Sequence, residues 1–442
     1  MKQRVKVLFV VVMILALLFS MNVTSAFADD IDPEFFFSEI QQVGIGYIHT
    51  TFLMKDGTVW TCGLERPLPQ TSIVTPVKVQ NLTDVICVAA GLQSSLAVKS
   101  DGSVWEWKEN TLPTQIGISD AIYADMRPAN ASSSYHVVKS DGTVWAWGYN
   151  SAGELGDGTT TNRSTPVQVK ENSTTPLTDV QTVVVGDAVG TVLFLKSDGT
   201  VWSCGSGAYG LLGRTGNNKY AEQINELTGI VDISVGNSHC LALKSDGTMW
   251  AWGFNDYRQL GDGTTTARTA PVMVTNGISN IKAVGAGSST SYALKTDGTV
   301  WAWGNDYSLG INAPYPGKAL LTPVQINKLR NIKSVTTQNN NSVGSLAIGH
   351  DGSVWCWGTF GDKGHGLTNS SMPVKINEPT PSSGPVEPYQ FSAVFEIDQG
   401  QIRFLGMEPF EGDENNLEWF LDFPWPLFMA SLVPFITMVG MR

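Results

Sequence analysis

Seven Asp-Gly pairs punctuate the chain, beginning at Asp56, Asp101, Asp141, Asp198, Asp246, Asp297 and Asp351. Recurring carboxylates can ligate calcium or act as the acid and base of glycan hydrolysis, so their spacing decides which chemistry is open. The pairs stand 40 to 57 residues apart with one carboxylate each, and no Asp-x-Asp-x-Asp loop occurs. That spacing describes structural turns. The five histidines and five cysteines are equally sparse. His49 and His239 fall at equivalent places of distant repeats, and His136, His350 and His365 lack the Cys, Asp or Glu neighbours of a metal site or triad. No Cys-x-x-Cys, Gly-x-Ser-x-Gly, Walker or dinucleotide fingerprint stands in catalytic context. The expectation is therefore no catalytic residue, no metal and no cofactor. Cys62, Cys87, Cys204, Cys240 and Cys356 sit in strand-like runs, where buried thiols are expected rather than a disulfide framework.

The elements around the Asp-Gly pairs form a repeat. Four residues after each Asp stands a Trp (Trp60, Trp105, Trp145, Trp202, Trp250, Trp301, Trp355), and two residues later a second Trp or a Cys. Lys139 to Gly148, KSDGTVWAWG, is the clearest copy. It reads as a hairpin: a two-residue Asp-Gly turn of positive φ, then a strand alternating with period two. In Thr143 to Trp147 both tryptophans share one face and Val144 and Ala146 the other, so Trp145 and Trp147 are expected to pack between neighbouring sheets. A period near 48 residues, repeated seven times over residues 40–376, fits an all-β, seven-bladed β-propeller of four-stranded antiparallel blades.

Each copy parses into a Val/Ile-rich first strand, a second leading into Asp-Gly, the Trp strand, and a fourth carrying Pro-Val-x-Val, whose proline marks an outer edge. Turns between strands one and two share a rim with the loops between strands three and four; the Asp-Gly turns and blade connections share the other. The three-to-four loops vary in length, and variable loops on a rigid scaffold carry recognition. Aromatics and one arginine on this rim make the candidate binding residues: Tyr47, Tyr149, Tyr209, Phe254, Tyr257, Arg258, Tyr307, Tyr315 and Phe360. Arg163, Arg214 and Arg268 share these loops, and Tyr149 and Phe254 could serve packing alone.

Both ends differ from the repeat. Residues 1–28 read as a secretory signal, with Lys2, Arg4 and Lys6 before an apolar run and Ala26-Phe27-Ala28 as cleavage site; residues 29–39 form an N-terminal segment. A secreted or cell-surface protein is expected. Losing those three positive charges takes the formal charge from −12 to −15, without any basic cluster, which excludes nucleic acid as the expected partner. Residues 377–388 are a Pro/Ser-rich linker, and 389–442 hold a hairpin across Asp398 to Gln401 and an apolar tail. The uncharged Phe423 to Met441 could tether the chain to a membrane, but Pro424, Pro426 and Pro434 interrupt it, so a tether is not favoured.

Gly-x-x-His or Ser, then ALKxDGxVWxWGxNxxGxLGxG, then Pro-x-x-Val resembles the regulator of chromosome condensation family, most closely at YNSAGELGDGTTT from Tyr149 and FNDYRQLGDGTTT from Phe254. The resemblance implies a seven-bladed propeller. In the family's eukaryotic founders it implies nucleotide exchange on a nuclear GTPase and nucleosome binding, which an exported acidic chain is not expected to perform. A secreted bacterial β-lactamase-inhibitory propeller of the same fold is nearer in compartment, and none of its contact residues carries over. The expected function is a non-catalytic, monomeric binding module for an extracellular protein or cell-envelope component. β-Lactamase inhibition is one form of it. The rival class, a glycan-active enzyme, requires two or more carboxylates converging at a mouth of the central channel.

Overall fold

The computed structural model describes residues 39–46, 49–64, 72–91, 94–108, 111–126, 133–186, 190–274, 277–305, 309–311, 320–337, 344–358 and 370–375, with strands at 4–6, 391–398 and 401–409. It divides into two compact units, residues 29–378 and residues 1–28 with 379–442. The larger unit is a seven-bladed β-propeller: seven antiparallel sheets, each of four strands consecutive in the chain. Blade three is typical, with strands Ala121–Met126, Ser134–Lys139, Val144–Gly148 and Arg163–Gln168. First strands of neighbouring blades pack on one another around the axis, which places them innermost and the proline-bearing fourth strands outermost. The ring closes without strand exchange, by packing Ile40, Val43 and Phe52 of blade one against Leu346, Ile348 and Val354 of blade seven. In the smaller unit, Arg4–Lys6, Phe391–Asp398 and Gln401–Pro409 form one antiparallel sheet, with Asp398 paired to Gln401 in the hairpin.

The Asp-Gly turns are not the two-residue type expected. Met54 N–H donates to Thr58 O and Gly57 N–H to Met54 O, so three residues form the loop, and only the glycine has positive φ. This is a type I turn closed by a glycine bulge, which leaves the Asp in ordinary backbone and frees its side chain. Asp141 Oδ1 accepts from both the N–H and the hydroxyl of Thr143, at 2.9 and 2.7 Å. Those bonds hold its carboxyl below the usual range, and the same pattern repeats around the ring. Gly142, at φ +76°, is required twice over: a Cβ would lie 2.8 Å from Asp179 N, where the next blade begins. Its carbonyl accepts from Val180 N–H, tying the turn to the neighbouring blade.

The two tryptophans divide their roles differently from expectation. Val144 and Ala146 are fully buried and Trp147 is 6% exposed, whereas Trp145 is only half-buried. The Trp nearer the turn lies at the blade margin, with the Lys ahead of the turn over its ring: Lys139 on Trp145 at 5.7 Å and Lys196 on Trp202 at 4.3 Å. The second Trp is the one packed between blades. Trp252 and Trp303 are 0% exposed, and their indole N–H groups donate to Leu211 O and Gln259 O in the loop of the preceding blade. Where the fourth strand starts, Ser164, Thr165 and Pro166 stand opposite Trp147 alone, a bulge in which proline's missing N–H costs no ladder bond.

The innermost strands have an unpaired edge that the motif did not reveal. Side chains of one blade satisfy backbone groups of the next: Gln42 on Val88, Asp125 on Val185, Asp232 on Val284 and Ser234 on Ala286. Burial pushes the Asp125 carboxyl up to about 7 and the Asp232 carboxyl up to about 6, against the amide bonds that lower them. The described cysteines are all buried free thiols.

Candidate binding rim

The loops between strands three and four of blades three and five are built alike. Asn150 at the root of the first donates to Asp157 Oδ1, Thr159 O and Thr161 O and accepts from Leu155 N–H. Asn255 repeats this with Asp262, Thr264, Thr266 and Leu260. Arg163 and Arg268 close the loops on Asp157 and Asp262, with Nε at 2.8 Å in both. Burial pushes the Asp262 carboxyl up, but bonds from Thr264 and Arg268 bring it below its ordinary value. In blade four Arg214 stands where the other two loops have Asp157 and Asp262, and reaches Ser203 O at 2.6 Å and the Glu222 carboxylate at 2.9 Å. Three of the four loop arginines are thus committed to holding the rim together.

The fourth, Arg258, belongs to a patch. Phe254 lies between Tyr209 of blade four and Tyr257 of its own loop, edge-to-face with ring centroids at 5.4 and 6.2 Å. Tyr209 is 55% and Tyr257 44% exposed, and the two occupy equivalent loop positions in adjacent blades. Arg258 has φ +63° at the position where blades three and four carry Gly153 and Gly210. Tyr209 has φ +58°, within a single 3₁₀ turn, Ala208–Gly210. Two bulky residues held in left-handed backbone beside exposed rings mark a site where local strain accompanies exposure.

The architecture and this rim can be set against known proteins. The RCC1-like domain model matches residues 126–400. The chain belongs to the RCC1-like domain family. Over 232 residues it is 28% identical to the human E3 ubiquitin-protein ligase HERC2, a stretch covering 50% of this chain and 5% of that protein. Over 243 residues it is 30% identical to the ultraviolet-B receptor UVR8 of Arabidopsis thaliana, covering 51% of each. The chain thus matches about half the length of one relative and a small part of the other. In fold it is similar to human WBSCR16 (TM-score 0.59, 20% identity, 71% of this chain and 86% of that one). It is likewise similar to yeast RCC1 (Prp20), solved bound to Kap60 (TM-score 0.57, 20% identity, 78% and 86%). RCC1-like propellers are mainly non-catalytic regulators or exchange factors.

Of the candidate residues on this RCC1-like propeller, the structure gathers Tyr209, Phe254 and Tyr257, with Arg258 next to Tyr257 in the chain. Tyr149, the counterpart of Phe254 in blade three, is half-buried, and the loop beside it carries Ala152 where Tyr257 stands. Tyr47, Tyr307, Tyr315 and Phe360 lie outside the described residues, as do His365, the linker at 377–388 and the tail from 410. His49 and His239 are structural: their Nε2 atoms lie 2.7 and 2.8 Å from the Oγ of Ser95 and Ser291 in the next blade. Burial lowers His239 to about 3 and His136 to about 4, keeping both neutral. The channel carboxylates Asp125 and Asp232 went unnoticed in the sequence; a lone acid in a Val/Ile-rich first strand was the available signal. Each caps a backbone amide of the adjoining blade, which is a structural rather than an acid–base placement.

Proposed function

We propose that this propeller is a binding module that seats a partner protein on the Tyr209–Phe254–Tyr257 patch, with Arg258 at its margin, and that it does so outside the cell or at the cell envelope. The observation that carries the reading is the pair of exposed tyrosines at equivalent positions of neighbouring blades, packed about one phenylalanine on a hydrogen-bonded loop. Tyrosines held this way offer large amphipathic area at low entropic cost, as interface anchors do. Membership of a family of binding and regulatory propellers supports a protein partner, and the signal-like residues 1–28 support export. The acidic balance favours a partner with basic surface.

The test is capture from secreted proteins and cell-wall fractions by the purified chain and by a Tyr209→Ala/Tyr257→Ala variant, with a secreted β-lactamase included as one defined bait. A partner held by the first and lost by the second is the expected result. A partner held equally by both would move the site off this rim.

A further inference from the structure

The opposite rim carries a second surface, independent of the aromatic patch. In all seven blades the first strand begins with a bulge, so that one residue near the Asp-Gly end of the channel has no partner on the second strand. That residue is Gln41, Ile86, Ile122, Gln181, Val231, Lys282 or Lys333 in turn. Nothing in the ladder dictates its type, because the bulged residue is the one the pairing leaves out. Yet aliphatics occur only in blades two, three and five, with Gln181 between them in blade four. Ile86, Ile122 and Val231 are 42%, 45% and 55% exposed, whereas the same position in blades six and seven is lysine.

A second position sorts the same way. Two residues before the bulged residue, blades two to seven take a left-handed turn, which Asp, Asn or Gly can make at little cost. Blades two to four use Asp84, Asp120 and Asp179, all exposed, at φ of 60 to 62°. Blades six and seven use Asn280 and Asn331 for the same backbone, at 59 and 55°. The backbone therefore does not demand the negative charge. At these two positions blades two to five carry three aliphatics with Gln181 and three acids with Gly229, blades six and seven carry two lysines and two asparagines, and blade one carries Gln41 and Glu39. Exposed aliphatic side chains grouped on one arc are the kind of surface that interaction sites present, and the acids bordering them set the charge of what can settle there.

We propose that this arc of the channel mouth, at blades two to five, docks a segment of a partner protein in which aliphatic side chains are flanked by Lys or Arg. Ile86, Ile122 and Val231 receive the aliphatic groups, Asp84, Asp179 and Asp120, the last exposed but 3.7 Å from Lys139 Nζ, face the cations, and Lys282 and Lys333 repel a segment laid across the other arc.

The probe is a fluorescein-labelled synthetic peptide of leucines flanked by lysines, titrated against the full chain. Two control peptides replace Lys by Glu, or Leu by Ser. The protein supplies its own conservative substitutions, since blades six and seven show that Asn and Lys fit these positions. Asp84→Asn/Asp120→Asn/Asp179→Asn is expected to weaken the Lys/Leu peptide by about tenfold and to flatten its salt dependence. Ile86→Lys/Ile122→Lys is expected to weaken it by at least about tenfold. Tyr209→Ala/Tyr257→Ala is expected to leave it unchanged, which separates this surface from the aromatic rim. A photo-reactive leucine in the peptide should crosslink to the first strands of blades two to five in the unaltered protein, a readout that needs no variant to fold. Equal binding of the serine peptide, unchanged affinity in both sets of variants, or crosslinks on the aromatic rim would each overturn the proposal.

Discussion

Blades three and five fold the same loop and arm it differently. The asparagine at the root, the aspartate it holds, the threonine ladder and the closing arginine superimpose bond for bond, from Asn150 and Asp157 to Asn255 and Asp262. At the tip, blade three carries Ala152-Gly153-Glu154 and blade five Tyr257-Arg258-Gln259. The scaffold is therefore separable from what it displays. Glycine at 153 costs nothing in its left-handed conformation, while arginine at 258 does, and a residue kept against that cost points to something gained by its side chain.

The comparison can be tested first at the level both blades share. Trp147→Ala should destabilise by about 3 to 5 kcal/mol, through lost burial and the cavity left between blades, and Trp145→Ala by clearly less. Thermal or urea melts decide it; equal losses would mean that the half-buried Trp contributes as much as the buried one. The tips come next. Tyr209→Ala/Tyr257→Ala should weaken the rim partner by about 2 kcal/mol or more while each substitution changes stability by no more than about 0.5 kcal/mol. Titration and melting of the same sample separate the two effects, and transplanting Tyr and Arg onto positions 152 and 153 would sharpen the contrast.

At the roots, Asn150→Ala and Asn255→Ala should cost similar stability, about 1 to 3 kcal/mol, because each removes the bonds to one Leu N–H and two Thr carbonyls of its loop. Only the second should also impair binding. Loss of binding from both would make the whole rim, rather than blade five, the site.

A subtler contrast lies in pH. Blades three and five each hold one neutral buried histidine and one channel aspartate. Burial lowers His136 to about 4 and His239 to about 3, so their contribution is complete above the unfolded value of 6.5 and is lost as pH falls. Burial raises Asp125 to about 7 and Asp232 to about 6, so theirs is complete below 3.8 and is lost as pH rises through those values. Between roughly pH 4 and 6 the two slopes oppose each other. Replacing Asp125 and Asp232 by Asn should expose the histidine limb, with stability then rising with pH by up to about 1.4 kcal/mol per unit for each histidine. Urea titrations at half-unit steps would show it; an unchanged profile would mean that the channel carboxyls do not titrate with folding. The smallest effect is at the tip: Arg258→Gly should stabilise by up to about 1 kcal/mol while lowering partner affinity.

The chain by itself determined the number of blades, the four-strand parse and the placing of proline outermost. Those follow from period and alternation, which are properties of a line of residues. It also pointed to the aromatic rim, since turn residues must lie at strand ends. It misassigned the Asp-Gly turn because two- and three-residue hairpin loops both favour Gly at positive φ, and only the paired register tells them apart. It gave both tryptophans the same buried role because alternation says that Trp145 and Trp147 share a face, not which end of that face the next blade covers. Tertiary structure alone brought Tyr209 beside Phe254, residues 45 apart in the chain and joined only where blade four's loop meets blade five. It alone placed Asp125 and Asp232 on amides of the following blades. Contacts between blades depend on the rotation from one sheet to the next, and no spacing within a blade encodes it.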